Sequence, residues 1–107
     1  MPQYVILADH TPQTCPGASK RVGDFARETL SMKLPELSGK LGVRMQTMLH
    51  LDPGHKTLMI VEAPTIEAVT ELAFESGFTQ FNDVQVYPTS SLEELAQRSA
   101  NWEPLYE

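Results

Sequence analysis

Seven short stretches of the chain carry strand-like or helical hydrophobic patterns, separated by turn residues. Tyr4-Val5-Ile6-Leu7-Ala8 is apolar at every position, as expected for a strand covered on both faces. After a proline-containing loop, Val22, Phe25, Ala26, Thr29 and Leu30 recur at helical spacing with Arg21, Asp24, Arg27 and Glu28 between them. Cys15-Pro16 reads as the start of this helix, with Ser19 as a competing N-cap. Pro35 is expected to break or kink it, and Leu34, Leu37 and Leu41 carry the stripe on to a stop at Gly42. Val43 to Leu51 reads as a strand with Val43, Met45, Thr47, Leu49 and Leu51 on one face and Arg44, Gln46, Met48 and His50 on the other. The turn Asp52-Pro53-Gly54-His55 leads to a second all-apolar strand centred on Leu58-Met59-Ile60-Val61.

Thr65 caps a further helix with Ile66, Val69, Leu72 and Ala73 as its stripe and Gly77 at its end. Asp83 to Tyr87 alternates as a half-buried last strand closed by Pro88, and Ser91 to Glu94 forms a capping box that opens a helix ending near Arg98. The order β-α-β-β-α-β plus a C-terminal helix predicts an α+β fold of the split βαβ, or ferredoxin-like, plan with an antiparallel four-stranded sheet. One domain over residues 1–98 and a tail over 99–107 follow from the absence of repeats and linkers.

Composition narrows the partners more than the chemistry. With 107 residues, one core is expected, small enough that association with a second copy would help complete its burial. The formal net charge is −6 and the basic residues form no stripe, which argues against nucleic acid and anionic membrane surfaces. A single cysteine excludes an internal disulfide, and no apolar run reaches the ~20 residues that span a bilayer. The expected setting is reducing and cytoplasmic.

Candidate chemistry gathers at Asp9-His10-Thr11-Pro12-Gln13-Thr14-Cys15-Pro16-Gly17, where the first strand gives way to the first helix. A thiol at a helix N-terminus is favoured as thiolate, and a nearby imidazole either activates it or shares a soft metal with it. His10 and Cys15 are therefore candidate ligands for Cu or Zn, although His-x4-Cys matches no common structural zinc spacing. The alternative is ordinary loop packing. His50 and His55 flank a turn and could meet on one ion, or could simply be solvated. With the first and third strands read as parallel neighbours, His10 and His55 fall at opposite sheet ends, about 20 Å apart. A site of His10, Cys15 and His55 would then need contact between subunits. On the same reading Glu62, Arg44 and Asn82-Asp83 collect near His10, so that His10 and Glu62 make a candidate catalytic acid/base pair. Met45, Met48 and Met59 are read as core filler rather than Cu(I) ligands. Phe78, Phe81 and Trp102 are candidates for a subunit contact or a pocket wall.

Residues 3–98 resemble the dimeric α+β barrel superfamily of muconolactone isomerase-like, antibiotic-monooxygenase-like and YCII-related proteins. His10-Thr11-Pro12 with Cys15-Pro16, Leu41-Gly42-Val43, His55 and Val61-Glu62-Ala63 look similar to small bacterial and archaeal members of it. The resemblance implies a subunit with helices on one sheet face and a second subunit's sheet against the other, in a homodimer or higher oligomer. It carries no complete catalytic signature and so no reaction. Three functions are expected in turn. The first is a small-molecule or metal-binding protein with its site at the first strand-helix junction. The second is a cofactor-independent isomerase- or oxygenase-like enzyme acting on a small apolar substrate in the barrel. The third is a structural or assembly protein.

Overall fold

The computed structural model describes residues 1–105; of the expected tail, Tyr106 and Glu107 lie outside the described residues. Strands β1 (Gln3–Asp9), β2 (Arg44–Leu51), β3 (Lys56–Glu62) and β4 (Asp83–Pro88) form one four-stranded sheet in the order β2-β3-β1-β4. All three strand pairings are antiparallel, so the fold is α+β with an open antiparallel sheet. The two all-apolar segments occupy the two central positions, where both strand edges are hydrogen-bonded.

The first and third strands are neighbours, but they are antiparallel rather than parallel. Gln3 pairs with Glu62 at one end and Asp9 with Lys56 at the other. This reverses the expected placement of every residue assigned to a sheet end from β3.

Side-chain alternation gives the sheet one dry face. Tyr4, Ile6, Met59 and Val61 point into a core completed by Leu34, Val69, Leu72 and Phe78. The neighbouring positions Val5, Leu7, Leu58 and Ile60 lie on the other face and are only half-buried. In the same rows Leu49 is 52% exposed and Tyr87 45%, so among the described residues no helix covers these positions.

Helix α1 (Lys20–Glu28) begins after Ser19, whose hydroxyl accepts the Val22 N–H at 3.3 Å, and not at Cys15-Pro16. Pro35 does not break the run. One π-turn over Thr29–Lys33 sends the Leu34 N–H back to the Thr29 carbonyl, and α2 (Leu34–Leu41) follows with Pro35 in its first turn, where its missing N–H costs nothing. Gly42 then ends the helix in the left-handed region at φ 71°, as its position predicted. Helix α3 (Ile66–Glu75) buries Val69, Leu72 and Ala73 on the sheet, while Ile66 is 37% exposed at its first position. Helix α4 (Leu92–Ser99) is exposed along its whole length.

Strand β2 departs from simple alternation. The register passes from Met45↔Val61 to Thr47↔Ile60, leaving Gln46 as a bulge. The extra residue inverts the phase downstream. Met48 pairs with buried Met59 and His50 with Thr57, so Met45, Met48 and His50 share the helix-covered face while Thr47, Leu49 and Leu51 lie on the open one. The expected grouping of Met45 with Leu49 and Leu51 fails for that reason.

Candidate metal centre

The antiparallel pairing of β1 and β3 brings two histidines together. One step beyond the last ladder pair, the His10 N–H donates to the His55 carbonyl at 2.9 Å. The two rings stand across the strand ends with centroids 5.5 Å apart and planes at 62°. The separation of about 20 Å expected from a parallel pair does not exist, and one subunit suffices to bring them together.

Cys15 arrives from the other direction. Beyond His10 the chain makes one 3-10 turn over Pro12–Thr14, in which the Thr14 hydroxyl accepts the Thr11 N–H at 3.1 Å. Cys15 follows, its carbonyl accepting the N–H groups of Ala18 and Ser19 at 3.0 and 2.9 Å. These bonds fold the segment back over the strand end and leave the thiol buried. Because α1 starts only at Lys20, Cys15 is not at a helix N-terminus, and that argument for a favoured thiolate does not apply.

One ligating atom each from His10, Cys15 and His55 lies within 4.8 Å of the others. His10 Nδ1 meets Asn82 Oδ1 at 2.9 Å, and the Asn82 amide NH2 is itself spent on the Phe78 carbonyl at 3.2 Å. With the amide oriented this way its oxygen can only accept, so Nδ1 is the donor of this bond and Nε2 is the nitrogen left for another partner. That Nε2 and the Nδ1 of His55 are both buried with no hydrogen-bond partner. Buried polar atoms are rarely left so, because each orphan costs about 1–3 kcal/mol. Two imidazoles and a thiol gathered this closely are the donor set of a borderline or soft transition metal such as Zn or Cu.

Behind the cluster lies a cavity of about 340 Å³ between α1 and β2, lined by Pro16, Ala26, Leu30, Met48, His50 and Phe81 among others. His50 reaches it because of the Gln46 bulge. Its ring stands 5.5 Å from that of His10, and its Nδ1 is bonded to Asp52 Oδ1 at 2.8 Å.

Glu62 does not join this group. It pairs with Gln3 at the far end of β1, seven residues and roughly 20 Å of strand from His10. There it accepts from Gln46 Nε2 at 2.7 Å, with the Arg44 guanidinium 3.9 Å away. The expected His10–Glu62 acid/base pair is therefore not formed, and Arg44 lies at the wrong end with it. Asn82 and Asp83 do reach the His10 end, where Asp9 pairs with Asp83.

Met59 is fully buried, and Met45 and Met48 pack against the same core. Phe78 is buried as well, and Phe81 stacks between it and Phe25 with centroids 5.9 Å from each. These two aromatics build the subunit itself, whereas Trp102 is 66% exposed. Among the described residues no helix is long and apolar enough to cross a membrane. No protein-family model matches the chain, and no curated protein matches its sequence.

Proposed function

We propose that the protein binds a transition-metal ion, Zn or Cu, at the end of its central strands, with His10 Nε2, His55 Nδ1 and the Cys15 thiolate as ligands. One observation carries this reading: His10, Cys15 and His55 each bring a ligating atom within 4.8 Å of the others, and each of the two rings has a buried nitrogen without a hydrogen-bond partner. A cation on these atoms would satisfy both lone pairs. Asn82, by holding the His10 Nδ1–H, does what outer-shell partners do for ligating histidines, fixing tautomer and ring direction.

The test is elemental analysis of the untagged protein, before and after equilibration with Zn(II) or Cu(I) and removal of excess. One ion per chain is expected, with Cys15→Ser and His10→Ala each lowering the stoichiometry. A protein that stays metal-free under both conditions ends the proposal.

The strand order β2-β3-β1-β4 with two βα crossings also supports the ferredoxin-like plan, and the open sheet face supports its dimeric barrel form. Val5, Leu7, Leu49, Leu58, Ile60 and Tyr87 form a contiguous apolar surface with no helix upon it. A second copy supplying the same face would bury it through a two-fold contact. All three proposed ligands come from one chain, so the dimer would carry two independent ions.

A further inference from the structure

Three donors leave a tetrahedral ion one ligand short, and a third imidazole stands beside them. We infer that His50 is the fourth ligand, making the centre a closed His3Cys site for a zinc-class divalent cation. This rests on the metal reading above and decides what kind of site it is.

Distance supports it first. Two imidazoles bound to one tetrahedral ion through nitrogens at about 2.0–2.1 Å hold their ring centroids about 5 Å apart. His10 stands 5.5 Å from His55 and 5.5 Å from His50, so both neighbours sit near the separation that a shared ion imposes.

The outer hydrogen bonds agree. His50 is tied at Nδ1 by the Asp52 carboxylate at 2.8 Å, as His10 is tied at Nδ1 by Asn82 at 2.9 Å. A carboxylate can only accept, so the proton is on Nδ1 and Nε2 is the nitrogen free to ligate, the arrangement that carboxylate-histidine-zinc triads use. The His50 nitrogens lie outside the 4.8 Å group, and its side chain is 37% exposed. The ring is therefore not enclosed by packing, and as a fourth ligand it would turn toward the cluster.

The strand explains why this histidine is available at all. Without the Gln46 bulge, residue 50 would face the open side of the sheet with Leu58 and Leu7; with it, His50 shares a row with Thr57 and Ala8 on the side of Cys15. Four protein ligands leave no position for a reactive water. The site then retains its ion, as structural, storage or sensing centres do, rather than activating a nucleophile.

Cobalt(II) distinguishes the two coordination states. The wild-type protein is expected to show a thiolate-to-cobalt charge-transfer band together with the intense visible bands of a four-coordinate ion. His50→Ala is expected to keep the charge-transfer band, to lose visible intensity as water enters, and to bind cobalt at least ~tenfold more weakly, since loss of even an outer-shell partner costs that much. A His50→Ala spectrum that superposes on wild type overturns the assignment and leaves the three-ligand reading standing. Wild-type protein with no cobalt band overturns both. Imidazole 15N spectra of the unaltered protein give the same answer without a variant: on Zn(II) addition the His50 signals must move with those of His10 and His55, and a stationary His50 refutes the fourth ligand.

Discussion

Asn82 shows how much of the proposed centre would depend on a residue that is not among its ligands. Its oxygen accepts the hydrogen bond from His10 Nδ1 while its NH2 is anchored on the Phe78 carbonyl, so the amide cannot flip without losing the bond to Phe78. Asn82→Ala should weaken metal binding by about 10–100-fold, read by competition against a chromophoric chelator. It should cost only about 1 kcal/mol of metal-free stability, the worth of one ordinary hydrogen bond, in a denaturant titration. Glu62→Gln is the matching control. At the far end of β1, its substitution should leave metal affinity unchanged.

At the scale of elements, the clearest dependence is on Gly77, which follows α3 at φ 86°. A Cβ there would stand 2.6 Å from Phe25 Cζ, whereas one on Gly42 would meet nothing nearer than 3.9 Å. Gly42→Ala should therefore lose only the ~1–2 kcal/mol of left-handed strain. Gly77→Ala should lose more, because Phe25 must also leave its edge-on contact with Phe81. Equilibrium denaturation of both variants checks the order. The order of strands and helices was legible in the sequence because the apolar periods are clean and Ser19, Gly42, Thr65 and Ser91 all sit where cap residues belong. Strand direction was not, since an all-apolar strand such as Leu58 to Val61 looks the same read either way. That ambiguity placed Glu62 beside His10 and His55 away from it. The bulge was equally silent, because Gln46 is an ordinary polar residue and only the pairing with β3 shows that it is extra. His10 and Cys15 stood out by residue type, yet their convergence with His55 required the register.

The whole molecule measures 53 × 32 × 17 Å, a slab one sheet and one helix layer deep. Such thinness leaves the second sheet face, with Leu49 52% and Tyr87 45% exposed, open to solvent, and it sets the prediction for assembly. Light scattering should give twice the chain mass, and Leu7→Glu, in the middle of the open face, should return it to one chain with an unchanged circular dichroism spectrum. The cobalt bands should survive this change, since His10, Cys15 and His55 gather within a single chain. The long dimension brings α4 into question, because its eight residues are all exposed. An isolated helix of that length is marginal in water however well its Ser91 cap is formed. Its amide hydrogens therefore serve as a built-in reporter. If α4 stands free, they exchange with deuterium at nearly the rate of an unstructured peptide while those of β1 and β3 persist; if another surface covers it, they become protected, and their dependence on protein concentration tells whether that surface belongs to a second molecule.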